Sequence, residues 1–355
     1  MSEVHALVMA GGVGSRFWPL RRRRRPKQLL PLASSGRSLL AATIDRLAPL
    51  CPPERVVVVT NAALVDAVRA DVPALPAAQV LGEPIGRNTA ACIAWGASRI
   101  ARVDPDAVCV VLPADHHVED EAAFLAALRT AVRAAEDDAV VTIGIQPTRP
   151  ETGYGYLEVA EVVGPGVHRA ARFVEKPDRQ RAEAFLAAGR YLWNSGMFVF
   201  RARVILAAIA RHLPALGEAA RAWAELDLDA ELERVTADYP GLVAVSIDHG
   251  VMEKLPEVRV VPGAFGWTDL GSFESVWALG DRDEDGNRLP PRAVVVDSAG
   301  CFVEAPPTKT VALLGVRDLV VVDTADALLV MPRERAQEVK AVVRRLEDGG
   351  EDDLL

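Results

Sequence analysis

Hydrophobic residues occur along this chain in two rhythms. Short unbroken runs, among them His5–Met9, Arg55–Thr60 (RVVVVT), Ala107–Leu112 (AVCVVL) and Ala139–Ile145, are rich in valine and read as strands buried on both faces. Between them, Leu39–Leu50, Asn61–Ala70, Arg87–Val103 and Glu119–Glu136 repeat apolar positions every three to four residues. That spacing predicts amphipathic helices, the second capped by Asn61 and the third opening on Asn88 and Thr89. Buried strands alternating with helices predict an α/β domain whose parallel sheet is covered on both faces.

From Thr152 the texture changes. Tyr156–Ala160, Ala171–Val174 and Met197–Phe200 are strand-like and separated by glycines, prolines and a helix over Arg179–Ala188, which predicts an inserted, mixed part of the same sheet. Val204–His212 and Leu216–Val235 read as helices. Past Asp285 the helices stop. Ala293–Val296, Cys301–Glu304, Val311–Gly315, Leu319–Val322 and Ala327–Val330 are five short β runs punctuated by Asp, Ser, Gly and Pro, a pattern that predicts a small β-helix-like stack. Arg333–Leu346 closes it as a helix, and the acidic Glu347–Leu355 reads as a fraying tail. Two domains result, 1–284 and 285–355, as the length of 355 residues also suggests.

The net charge of −9 disfavours nucleic acid as a partner, because proteins that bind it carry a basic surplus. No apolar run approaches the roughly 18 residues of a membrane span, and the first ten residues lack the basic, then apolar, pattern of a signal peptide. Cys51, Cys92, Cys109 and Cys301 are scattered without metal or disulfide spacing and read as buried thiols of a reduced, cytoplasmic compartment. Only five of the 40 basic residues are lysine, so Lys27 and Lys176, which fall inside the motifs below, draw attention as compact ammonium groups.

Met9-Ala10-Gly11-Gly12-Val13-Gly14-Ser15-Arg16 is a glycine-rich loop directly after the first strand. It reads either as a cradle of backbone N–H groups for phosphate or as an ordinary tight turn. It lacks the GK[ST] of a P-loop and the third glycine of a dinucleotide fold. Arg16 and the run Arg21–Arg25, Pro26, Lys27 supply cations for a polyphosphate; most of the arginine run reads as a solvated, mobile loop, with Arg16 and Lys27 as the ligand-facing pair. Asp115, at the end of a buried strand, suits Mg²⁺ or a helix cap. Asp269, in GWTDLGS, is a second metal carboxylate or part of a turn followed by an N-cap at Ser272. Gly153–Tyr156 lines a sugar pocket or forms a β-turn, and Glu175-Lys176 is a ligand pair or a surface pair. Asn194, beside glycine and aromatics, suits sugar hydroxyls. No GxSxG elbow, HExxH or Cys/His signature points to nucleophilic catalysis. A phosphate monoester needs no base to act as a nucleophile, only cations, a metal and positioning.

Taken in order, MAGGVGSRFWPL, PKQLLPL, GEPIGRNTAACIA, PADHH, GYGYLEV, FVEKP, WNSGMFVF, SIDHGVMEK and GWTDLGSFESVW resemble the sugar-1-phosphate nucleotidyltransferases, and within them the mannose-1-phosphate guanylyltransferase (GDP-mannose pyrophosphorylase) family, from about residue 4 to 345. The resemblance implies a Rossmann-like nucleotidyltransferase core with a short left-handed β-helix behind it. It implies nucleotide binding by Ala10, Gly11, Gly12, Gly14, Ser15, Arg16, Lys27, Glu83, Asn88 and Thr89, with Arg16 and Lys27 acting on the phosphates. Gly155, Glu175, Lys176 and Asn194 would take the sugar phosphate, and Asp115 and Asp269 would hold Mg²⁺ as the cofactor. The expected reaction joins GTP and mannose 1-phosphate to give GDP-mannose and pyrophosphate. The expected partners are these small molecules and a second copy of the chain, with no nucleic acid or membrane. Alternatives are another hexose 1-phosphate and nucleotide, a regulatory paralogue that only binds nucleotide sugars, or, least supported, a nicotinamide-dependent oxidoreductase. The family often has Thr at 15, Leu at 17 and Tyr-Ala at 249–250, where this chain has Ser15, Phe17 and His249-Gly250. The chain stops before the isomerase domain that many bacterial relatives carry, so no isomerase activity is expected.

Overall fold

The computed structural model describes residues 3–12, 14–32 and 36–355. The valine-rich runs form strands β1 (Val4–Ala10), β2 (Val56–Asn61), β3 (Val80–Glu83) and β4 (Val108–Pro113), followed by a two-residue β5 (His117–Val118) and by β6 (Val141–Ile145). Then come β7 (Tyr156–Gly164), β8 (Val167–Val174), β9 (Tyr191–Arg201), β10 (Arg259–Gly263) and the two-residue β11 (Trp267–Thr268). Among the described residues, nine of these make one sheet in the order β3-β2-β1-β4-β9-β6-β10-β8-β7. The pairs β3–β2, β2–β1, β1–β4 and β6–β10 are parallel, while β9 and β8 run against their neighbours. The sheet is therefore mixed, with seven strands running one way and two the other.

Helices cover this sheet as their apolar faces dictate. Asn88–Val103 buries Ala90, Ala91, Ala94, Ala97 and Trp95 in a cluster with Leu7, Val57, Val59 and Val111. Aspartates and Asn61 satisfy exposed N–H groups where the helical stretches begin: Asn61 accepts from Ala63, Asp120 from Ala123 and Asp178 from Arg181. The predicted single helix over Leu216–Val235 is instead two, Pro214–Glu225 and Leu228–Asp238. Asp227 breaks it, because its side chain accepts from the Ala230 N–H at 3.0 Å and starts a new helix.

The chain divides into two compact units, the described parts of Met1–Gly11, Thr43–Ala114 and Val118–Trp267, and those of Gly12–Ala42, Asp115–His117 and Thr268–Leu355. The first holds the nine-stranded sheet. In the second, β12 (Ala293–Val296) pairs in parallel with β14 (Val311–Leu314), and β13 (Phe302–Glu304) with β15 (Leu319–Asp323), to which β16 (Leu328–Pro332) adds antiparallel. Ala293 lies opposite Val311 and Phe302 opposite Val320, an offset of 18 residues in both sheets. Left-handed corners repeat at the same offset, Asp297 with Gly315 and Gly300 with Asp318. That is one coil of a β-helix stacked on the next.

Two expectations need correction in this second unit. The arginine run is solvated only in part: Arg23, Arg24 and Arg25 are exposed, but Arg21 is buried, Arg22 bonds Asp326 at 2.7 Å, and Arg23 bonds Asp352 at 2.6 Å. Nor does the tail fray. It ends in a turn over Asp352–Leu354, Leu355 is buried, and the Leu354 carbonyl accepts from Trp18 Nε1 at 2.8 Å. Opposite charges and an apolar last residue hold what composition alone made look loose. All four cysteines are buried, and burial pushes the Cys51 thiol up to about 11. Among the described residues, no helix is long and apolar enough to cross a membrane.

Candidate functional site

In the first unit, the residues predicted for the nucleotide begin where β1 and β3 end. Ala10 is buried, and its carbonyl accepts from Thr60 Oγ1 at 3.0 Å. Glu83, the last residue of β3, is only 6% exposed. A Cβ on Gly11 would lie 3.4 Å from Glu83 Oε2, so the carboxyl sits against the first glycine of the loop. Tyr239 donates its hydroxyl to Glu83 Oε1 at 3.1 Å. Burial nevertheless pushes the Glu83 carboxyl up to about 7, the tyrosine offsetting only part of the desolvation. Asn88 takes a left-handed φ of 63° and its Oδ1 accepts from the Thr89 N–H at 2.8 Å. The Thr89 hydroxyl accepts from the Ile247 N–H at 2.9 Å, which ties this helix start to the segment around residue 247.

The predicted sugar residues meet on the same sheet. A Cβ at Gly155 would come within 2.6 Å of Glu175 Oε2 and 2.9 Å of the Phe173 ring, so only glycine allows this approach. The Gly155 carbonyl accepts from the Asn194 N–H at 2.8 Å. Tyr154 packs edge-on against Trp193 at 5.2 Å and Trp267 at 5.4 Å. Lys176 follows β8 with φ 43° and an exposed side chain paired to Glu175. The Asn194 side chain donates from Nδ2 to Asp248 Oδ1 at 2.8 Å.

In the second unit, the Lys27 ammonium donates to Asp115 Oδ2 at 2.8 Å and also to the backbone carbonyl of Asp269. The lysine is buried and lies 5.8 Å over the Phe17 ring. A Cβ on Gly12 would stand 3.9 Å from Asp115 Oδ2. One on Gly14, whose φ is 58°, would collide with the Lys27 Cβ at 2.6 Å. The glycines thus let the loop lie directly on the lysine–aspartate pair. Burial alone would push the Asp115 carboxyl up, but Lys27 first and His116 next hold it below the ordinary carboxylate range. Asp115 caps no helix, since Asp120 does that work, and Ser272 starts the helix Phe273–Leu279 in a capping box. Ser15 opens the turn Ser15–Phe17, and Arg16 on it is exposed, with no carboxylate partner among the described residues. Val13 lies outside the described residues. Asp115 by its carboxylate and Asp269 by its carbonyl both meet Lys27, and two carboxylates with phosphate oxygens are the donor set that Mg²⁺ takes, so these are the two residues that could hold that ion.

A family model described as nucleotidyl transferase matches residues 5–286, the stretch that carries all of these groups. The chain belongs to the nucleotidyl transferase family. A second model, a MannoseP isomerase/GMP-like beta-helix domain, matches residues 291–346, over the 18-residue coil. The xanthan biosynthesis protein XanB of Xanthomonas campestris pv. campestris is 40% identical over 353 residues, 99% of this chain and 74% of its own length. Mannose-1-phosphate guanylyltransferase of Escherichia coli is 40% identical over 347 residues, 96% of this chain and 73% of its own. A solved structure from Thermus thermophilus, described as mannose-1-phosphate geranyltransferase, superposes with a TM-score of 0.88 at 40% identity, covering 97% of this chain and 99% of that one.

Three groups of this nucleotidyl transferase site were not singled out from its sequence. Tyr239 precedes Pro240 and Gly241 and reads as a turn residue, yet it is buried on Glu83. Thr142 reads as a strand residue, and its hydroxyl lies 3.2 Å from Asn194 Oδ1. Asp248 follows Ser246 and reads as first-turn charge on a short helix; its partner is 54 residues away.

Proposed function

We propose that this nucleotidyl transferase moves GMP from GTP to α-D-mannose 1-phosphate, giving GDP-mannose and pyrophosphate. The observation that carries the reading is the Lys27 ammonium held between Asp115 and the Asp269 carbonyl against the glycine loop. The choice of guanine and mannose rests on relatives such as the E. coli mannose-1-phosphate guanylyltransferase.

Mannose 1-phosphate, largely dianionic near neutral pH, attacks the α-phosphorus of GTP with a phosphate oxygen in line with the leaving group. The new Pα–O bond forms as the Pα–O bond to pyrophosphate breaks, and no bond to the enzyme is made. Arg16 and Lys27 offset the charge that grows on pyrophosphate. Ala10, Gly11, Gly12, Gly14 and Ser15 offer backbone to the triphosphate, and Glu83, Asn88 and Thr89 are assigned to guanine and ribose. Gly155, Glu175 and Asn194 are assigned to the mannose hydroxyls and Lys176 to its phosphate. Asp115 and Asp269 would hold Mg²⁺, which when bound supplies charge neutralisation at the phosphate oxygens.

The test is pyrophosphate release, with Mg²⁺ present, over a grid of nucleoside triphosphates and hexose 1-phosphates. A dominant signal for GTP with mannose 1-phosphate is expected. A dominant signal for another pair would overturn the guanine or mannose assignment, and none at all would overturn the activity.

A further inference from the structure

Asp248 has no task in the reaction as described. It stands on the short helix Ile247–Gly250, which is already capped by Ser246 accepting from the His249 N–H at 3.2 Å. Its Oδ1 takes a proton of the Asn194 amide at 2.8 Å. At the other end of that amide, Asn194 Oδ1 faces the Gly196 N–H at 3.3 Å and the Thr142 hydroxyl at 3.2 Å. The Gly196 N–H at its oxygen and the Asp248 carboxylate at its nitrogen set the amide one way round, while the Thr142 hydroxyl shares its proton with the Met197 carbonyl at 3.0 Å. One N–H goes to Asp248 and the second is left over. The main chain of Asn194 is pinned as well, through its N–H to Gly155. Burial first and the Glu175 carboxylate next raise the Asp248 carboxyl to about 6.

We propose that Asp248 is a positioning residue of the sugar subsite, holding the Asn194 amide so that its remaining N–H is given to a hydroxyl of the hexose 1-phosphate. This rests on the sugar 1-phosphate reading above. Without Asp248 only the longer contacts at its oxygen hold the amide, which then turns over more readily and brings its oxygen where its nitrogen stood. A hydroxyl placed to accept then finds no donor.

The experiment is steady-state kinetics on purified Asp248→Ala and Asp248→Asn, with thermal melts alongside. Asp248→Ala should raise KM for the hexose 1-phosphate about tenfold or more, leaving KM for GTP and kcat within about threefold. Asp248→Asn keeps an acceptor oxygen in place and should bring the sugar KM back to within about threefold of wild type. A merely structural role would lower Tm without separating the two KM values. An unchanged sugar KM in a folded Asp248→Ala, or an Asn variant as impaired as the Ala variant, overturns the proposal. Should Asp248→Ala not fold, Thr142→Val loosens the same amide from its other end, and an unchanged sugar KM there overturns it too. Wild type reports separately on the underlying reading. Turnover of a different hexose 1-phosphate removes mannose and leaves Asp248 to be judged on that sugar, while no turnover of any removes both.

Discussion

The buried Lys27 and the half-buried Asp115 form a pair whose two charges are each needed by the other. Asp115→Asn keeps the shape and removes one charge, and kcat is expected to fall by about 100-fold or more, read by pyrophosphate release, with the far-UV circular dichroism unchanged. Near-normal turnover would take Asp115 out of the chemistry. Glu83 makes a different kind of prediction. Its folded carboxyl keeps a proton up to about 7, while an unfolded one releases it near 4.5. Stability from this group is therefore whole below about 4.5 and is lost as pH rises through 7. Glu83→Gln still accepts from Tyr239 but cannot ionise. It should melt higher than wild type at pH 8, by up to roughly 3 kcal/mol of stability, with the gap closing at pH 5. A gap that ignores pH would mean the carboxyl never carried the buried charge. The assigned residues lie where short motifs announce them, because glycine loops and strand ends are local. Asp248 and Tyr239 were not legible, because what gives them meaning is a partner 54 and 156 residues away.

At the scale of elements, propensity and periodicity located the helices well, and the exceptions have physical causes. β10 contains Pro262, which normally demotes a strand. It survives because β8 pairs only with Arg259 and Val260, so the missing N–H of Pro262 falls where β10 has no neighbour on that side. The strand pattern over Met197–Phe200 covers only part of β9, which runs back to Tyr191 through Gly196, whose φ is 70°, with the register shifted against β6. Glycine inside a strand pattern hid a bulge beside Asn194. The helix Leu228–Asp238 buries Glu231 and Val235, so its apolar face is narrow and one of its two buried side chains is charged. Glu231 is fully buried and accepts from Trp95 Nε1 at 2.6 Å, Arg99 Nε at 3.0 Å and the Arg102 guanidinium. Glu231→Ala would take away the shared acceptor of the buried Trp95 indole N–H and of the half-buried Arg99 and Arg102. A loss of about 3–5 kcal/mol is expected in denaturant unfolding. A loss below about 1 kcal/mol would show that the helix docks by its apolar contacts alone.

On the scale of the whole molecule, a mixed α/β sheet followed by a β-helix coil was legible in the switch between helix-separated and helix-free strands, although the strands Val80–Glu83 and Arg259–Gly263 were not. The assignment of Gly12–Ala42 to the same compact unit as the C-terminal segment was not, since no local pattern reports which distant segment a loop packs upon. Within that unit, Phe17, Trp18, Leu30 and Leu32 share one apolar cluster with Phe302, Val320, Val339 and Leu355. The Arg23 N–H donates to the Leu355 carbonyl at 2.7 Å, and its side chain pairs with Asp352. The tail is therefore part of the footing of the turn that carries Arg16 and of the segment that carries Lys27. Deleting residues 351–355 removes a buried leucine, about 1.5–3 kcal/mol, and the carbonyl partner of Trp18, about 1 kcal/mol. The melting temperature should fall by several degrees. KM for GTP should rise more than KM for the hexose 1-phosphate, because this unit holds the cations assigned to the triphosphate. If the melting temperature drops while both KM values stay put, the tail stabilises the β-rich segment without supporting the phosphate loop. If nothing changes, the buried leucine and its hydrogen-bonded neighbours contribute no stability.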